Sequence, residues 1–417
     1  MVSPPIQIIP GHADSTGSPS DADPTPPRYD GPPLFSYGFR PFFLSAALWA
    51  VLAVPVWVVI WTGFGGAGFL YPPREWHVHE MLFGFVPAVM AGFLLTAVPN
   101  WTDRAPVRGR LLMALLLLWV VGRGAMMAGW PWPWMAAGLD SGFLIALATV
   151  VWRELAGGRA WQQAPVASVI TLYAMANVWF HLSVGQRDTT DGPERVAMML
   201  DLWLLTLLGG RLTPTFTREF VLLHQVPQRP AGFSWVDGGT LGLVVFATTI
   251  WAVWPQHPLA ACLMVLAGLA SLVRLVRWHG GATWREPLVF MLHIGYGWVG
   301  VALVLIGLAS VNVGPSSATA AHALTTGAVG AMTLAVMTRA SLGHTGRPKI
   351  ADRSTILMYV LVNLGALLRV LAPDVEMAAG PAGVFLGLAA FCWSGAYGLF
   401  AVVYGPYLLN PALDEEF

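Results

Sequence analysis

Cysteine is nearly absent from this chain. Its 417 residues hold two, Cys262 and Cys392, in separate apolar stretches and without CxxC spacing. That excludes a disulfide framework and argues against thiolate zinc or iron–sulfur chemistry. Charge is also scarce: 11% of residues are charged against 56% apolar, and the mean hydropathy is +0.63, far from a soluble globular profile. The sequence has no phosphate-binding glycine loop, no GxSxG elbow and no basic face for nucleic acid. The formal net charge of zero is silent about partners.

What the chain does contain is apolar runs long enough to cross a hydrocarbon core. Twelve are expected, near residues 42–62, 78–99, 108–128, 132–152, 161–184, 196–212, 235–254, 258–278, 286–310, 317–339, 354–372 and 381–404. Basic residues test the count. With the N-terminus on one side, that side takes 17 of the 22 basic residues, Arg123 falls within span 3, and only Arg74, Arg187, Arg195 and Arg369 lie opposite. Such asymmetry predicts both termini in the cytoplasm. The expected fold is an all-α polytopic membrane protein. Residues 1–33, rich in Pro, Ser, Asp and Gly with no apolar targeting core, read as a disordered cytoplasmic tail. Residues 34–417 read as one transmembrane helical domain.

Polar residues inside such spans are functional suspects. At about 1.5 Å per residue, eight of them from six spans share the outer half of the bilayer: His77, His79, Glu80, Arg123, Asp140, His181, Asp201 and His322. His293 lies in span 9, nearer the cytoplasm. The bland reading has its place. An interfacial histidine is often a hydrogen-bonded anchor, and Arg123, Asp140 and Asp201 can form an internal ion-pair network. His257, between prolines, reads as a turn residue, and His224 and His344 as solvated. His77 and His79, two apart, point to nearly opposite sides of a helix and share one metal only where the helix start is unwound. His322 is different: at its depth lipid offers no hydrogen bond, so it must face a partner or cofactor.

An internal echo supports this. Overlaying His79 on His322 aligns Gly84 with Gly327, Val86 with Val329, Ala88 with Ala331, Thr102 with Thr345 and Arg104 with Arg347. Span 6 joins with Asp201 in the histidine position, which suggests three four-helix units about a pseudo-threefold axis. Imidazole ligates haem iron and copper. A haem between spans 2 and 10 would take His79 and His322 as axial ligands, with Arg74 and Arg123 near its propionates. The metal-ligand candidates are therefore His77, His79, His181, His293 and His322, with Glu80, Asp140 and Asp201 orienting histidines or supplying protons. The arrangement is haem–copper-oxidase-like in architecture, but span 6 lacks that family's histidines.

Several long motifs carry a more specific resemblance: GFRPFF (38–43), WHVHEMLFGF (76–85), AGFLLTAVPNWT (91–102), GGRLTPTFT (209–217), WREPLVFMLHIGYGW (284–298) and HALTTGAVGAMTLAVMTRASLGHTGR (322–347). These resemble the NnrS family of multi-pass membrane proteins. The resemblance implies a haem- and copper-containing protein of the bacterial cytoplasmic (inner) membrane that serves the nitric oxide response, usually alongside denitrification. The expected function is protection by binding or converting nitric oxide at a histidine-ligated metal. Two alternatives stand beside it: a nitric oxide reductase fed by quinol or a cytochrome, and an ion-coupled transporter of a metal or small anion.

Overall fold

The computed structural model describes residues 29–63, 71–128, 133–371 and 381–413. The expected tail, residues 1–33, falls almost wholly outside the described residues. All regular structure among them is helical. Among these residues twelve helices are long and apolar enough to cross a membrane: α1 Phe39–Trp61, α2 Pro73–Thr102, α3 Arg110–Met127, α4 Pro133–Gly157, α5 Trp161–Gln186, α6 Asp191–Leu223, α7 Trp235–Val253, α8 Pro258–Val276, α9 Pro287–Ser310, α10 Ser317–Gly343, α11 Arg353–Leu371 and α12 Gly383–Leu409. Each falls on one expected span.

Local chemistry sets the ends. Pro73, Pro258 and Pro287 open α2, α8 and α9 at the first turn, where the missing N–H costs nothing. Ser234 and Asp237 form a capping box at the start of α7. Arg40, fully buried in GFRPFF, donates from Nη1 to the carbonyls of Leu408 (3.1 Å) and Asn410 (2.6 Å), tying the end of α12 to the start of α1. Both described chain ends thus lie on one face, the terminal face; the other is the distal face.

Packing repeats every four helices. α1 lies against α12, α5 against α4 and α9 against α8, while α3, α7 and α11 pair with α4, α8 and α12. The helices close a ring of three four-helix units. α2, α6 and α10 occupy corresponding inner places, and α2 is the most enclosed of all twelve. Small residues permit the close approaches. A Cβ on Gly268 of α8 would sit 2.7 Å from the Gly300 carbonyl of α9, and one on Gly307 would sit 2.8 Å from the Ala261 carbonyl.

The inner helices also share a defect. α2 is π-helical over Glu80–Phe85, α6 over Leu205–Gly209 and α10 over Ala323–Val329. In the overlay of His79, Asp201 and His322 these segments overlap. A π-turn adds a residue, rotates the remainder of the helix and leaves carbonyls poorly paired. Neighbouring side chains repair several: Tyr173 Oη donates to the Leu82 carbonyl (2.9 Å), Trp119 Nε1 to Gly84 (3.0 Å) and Arg274 Nη1 to Thr206 (3.2 Å).

Candidate metal centre

Just before its π-segment, α2 delivers His77 and His79 to different places. His79 is fully buried and meets α4 and α5. Its Nδ1 lies 3.0 Å from Glu80 Oε1. Its Nε2 lies 3.1 Å from both Asp140 Oδ2 and Asn177 Oδ1, so each ring nitrogen faces a carboxylate, which only accepts, and a neutral imidazole can donate to one of them alone. His181 Nε2 reaches the same Asp140 oxygen at 2.9 Å, and its Nδ1 shares a 2.5 Å hydrogen bond with the Tyr71 hydroxyl. Asn177 Nδ2 also donates to Asp140 Oδ2, at 2.8 Å.

A single arginine supplies the balancing charge. Arg123 donates to Glu80 Oε2 at 2.5 Å and to Asp140 Oδ1. Gly84 makes room for its guanidinium, which a Cβ there would meet. One guanidinium against two buried carboxylates leaves one negative charge uncompensated. That charge and the acceptors facing both His79 nitrogens call for a cation, supplied by a second proton on His79 or by a metal ion. The ligand atoms of His79, Asp140 and His181 all lie within 4.8 Å of one another, and all three residues are buried. Two imidazoles and a carboxylate suit copper, zinc or iron.

His77 turns the other way, into a cavity of about 120 Å³ that His322, Arg369, Glu194, Met81 and Trp393 also line. Its ring stacks on Trp57, with centroids 4.1 Å apart and planes at 22°. It lies nearly parallel to His322, with centroids 6.4 Å apart and planes at 11°. His77 Nδ1 is buried without a hydrogen-bond partner. His322 Nδ1–H donates to the Ala318 carbonyl (2.7 Å), leaving Nε2 as a lone pair. Arg369 stands on α11, the helix that takes the place of α3 in the repeat, three residues beyond the position matching Arg123. The cavity is thus the closed centre's counterpart one unit away, with no match for Glu80 or Asp140; its carboxylate is Glu194, which is held by Arg74.

The structure therefore groups the expected residues differently from the sequence reading. His79 and His322, expected on opposite faces of one haem, belong to separate sites. The start of α2 is not unwound, so His77 and His79 diverge. Glu80, Arg123, Asp140 and His181 join His79. Arg74, expected beside a propionate, is held by Glu194 through bonds of 2.8 and 2.9 Å. His293 stands apart toward the terminal face, bonded to Thr217 at 2.8 Å. Asp201 joins neither site and meets Tyr173 at 3.4 Å. Sequence reasoning missed Asn177, Tyr71, Trp57 and the cavity side of Arg369. Asn177 was within reach: with Tyr173 and His181 it makes a polar stripe at four-residue spacing on α5.

Fold and sites define a polytopic helical membrane protein in which His77, His79, His181 and His322 gather near the distal face, some with carboxylates and some facing a cavity. The chain belongs to the NnrS family: the family model described as NnrS protein matches residues 33–412, nearly its whole length. That membership makes it a membrane protein of the nitric oxide response. A search of curated proteins found no match.

Proposed function

We propose that this protein is a haem–copper protein of the bacterial cytoplasmic membrane that protects against nitric oxide by binding or converting it, with the terminal face in the cytoplasm. The observation that carries the reading is His79, with a carboxylate at each ring nitrogen, in a site one positive charge short. His79, Asp140 and His181 fit copper, and donation from His79 Nδ1 to Glu80 would leave Nε2 for the metal. His77 and His322 fit haem by donor chemistry. Each has a ring nitrogen without a hydrogen bond, the walls are apolar, and Arg369 is the guanidinium on the cavity side. At about 120 Å³ the cavity is smaller than the roughly 300–1,000 Å³ of larger ligand sites and has to widen to take a porphyrin. The chain segments 64–70 and 372–380, which come after the helices of Trp57 and Arg369, fall outside the described residues.

When bound, haem iron supplies the position that takes nitric oxide. The protein's part is to exclude water with Trp57 and Trp393, hold His322 through Ala318, and keep a second metal centre two residues away in sequence. Conversion would draw electrons from quinol or a cytochrome. A repeat of three units, rather than two halves, speaks against an ion-coupled transporter.

Optical spectra and metal analysis of detergent-purified protein test the assignment. The expected result is a Soret band that shifts with nitric oxide and is lost in His77→Ala and His322→Ala. Copper should be lost in His79→Ala and His181→Ala. A full complement of both groups in all four variants would refute it.

A further inference from the structure

Beyond Glu194, which lines the cavity, the polar groups of α6 serve neither site. Asp201, 2% exposed, occupies the repeat position that His79 and His322 hold in the other units. Among the described residues its side-chain partner is the Tyr173 hydroxyl, at 3.4 Å. That hydroxyl has one proton, and the closer acceptor is the Leu82 carbonyl at 2.9 Å. The bond between Asp201 and Tyr173 then needs its proton from the carboxyl group.

From Asp201 a polar seam descends α6 toward the terminal face. The hydroxyls of Thr206 and Thr213 are buried and without partners. Between them Arg274 Nη1 donates to the Thr206 carbonyl (3.2 Å) and to Tyr296 Oη (3.0 Å). Its charge is compensated by Asp237, 2.9 Å from Nε. Lower still, Thr217 donates to the Thr213 carbonyl and accepts from His293 Nε2 at 2.8 Å, and His293 Nδ1 is again buried without a partner. Buried polar atoms left unpaired in this way are places for ordered water.

We propose that Asp201 holds a proton and exchanges it with the terminal face along a file of water between α6 and α9, past Thr206, Thr213, Thr217 and His293. Asp201 releases its proton to the water on the Thr206 side and regains one from the same side, while Tyr173 keeps its own proton on the Leu82 carbonyl. Tyr173 lies one helical turn from Asn177, whose amide contacts His79 and Asp140, so the acid is a proton store beside the closed centre. The assignment stands whether or not a metal binds there.

Infrared spectra of the purified protein in H2O and D2O test it. The expected result is a protonated-carboxyl C=O band that shifts in D2O, disappears in Asp201→Asn and moves in Tyr173→Phe. Thr206→Val and Thr213→Val should keep the band but slow its deuterium exchange about tenfold, the scale of one lost hydrogen-bonding position. Thr333→Val, a hydroxyl of α10 outside the seam, should leave the rate unchanged. A band absent from the parent protein, persisting in Asp201→Asn or unmoved in Tyr173→Phe overturns the proton assignment. Exchange as fast in both α6 valine variants as in the parent overturns the path.

Discussion

His77 and His79 stand two residues apart on one helix and serve different chemistry. His77 lies between the rings of Trp57 and His322 at the edge of a cavity. His79 is sealed among two carboxylates, an amide and a second histidine. Two α-helical residues span about 200° around the axis, so one short motif feeds two sites on opposite sides of α2.

The separation predicts selective loss of metal. His79→Ala and His181→Ala should each lower bound copper without removing the haem band, while His293→Ala should leave both unchanged. Metal quantification alongside the optical spectrum of each variant checks this. Loss of both groups together in every variant would point to one shared site.

Among the described residues, Arg123 is the guanidinium paired with both Glu80 and Asp140. Arg123→Met removes it and leaves two buried carboxylates facing each other. Breaking a buried pair of this kind costs about 3–5 kcal/mol. A large fall in the detergent melting temperature is expected, and the double variant Arg123→Met with Glu80→Gln should recover part of it.

Arg40 joins the two ends of the ring. Arg40→Ala strands the carbonyls of Leu408 and Asn410, and a charge-assisted hydrogen bond contributes about 1.5–3 kcal/mol. Lower thermal stability and faster proteolysis of the C-terminal segment should result, with Arg40→Lys intermediate. Equal protease resistance in all three proteins would show that α12 is held by other contacts.

Glu286 sits just before α9, half-buried, with Oε1 lacking a partner. Burial pushes its carboxyl above the usual carboxylate value, partly opposed by a backbone bond to Leu288 and by Arg339. A raised folded value favours the protonated form, so its contribution is present at low pH and lost as pH rises through that value. Glu286→Gln should therefore be the more stable protein at neutral pH, with the gap closing as pH falls through the carboxylate range. Melting temperatures of the pair across that range decide the matter.

The spans were legible because lipid demands length and apolarity, and both are linear properties of a sequence. Ends were less so. The run expected at 196–212 is a helix from Asp191 to Leu223, because its last turns carry Arg218 and Glu219 beyond the apolar core. The polar layer was also legible, since depth comes from counting residues. Direction around the axis was not. Three π-turns rotate the helices that bear His79, Asp201 and His322, and no residue pattern announces them. The structure sets His79 apart from His322, while the neighbours His77 with His322, and His79 with His181, depend on facing helices from different units.

The ring of three similar units has a consequence for how the sites came to differ. Three separate copies of a four-helix chain would have to carry the same residue at each related position, with three identical pockets. Joined in one polypeptide, with α1 laid against α12, the positions are free to diverge. His79 is enclosed by carboxylates, His322 faces open space, and Asp201 is an acid among hydroxyls. Fusion thus lets a symmetric shell hold an asymmetric interior, with each unit given its own task.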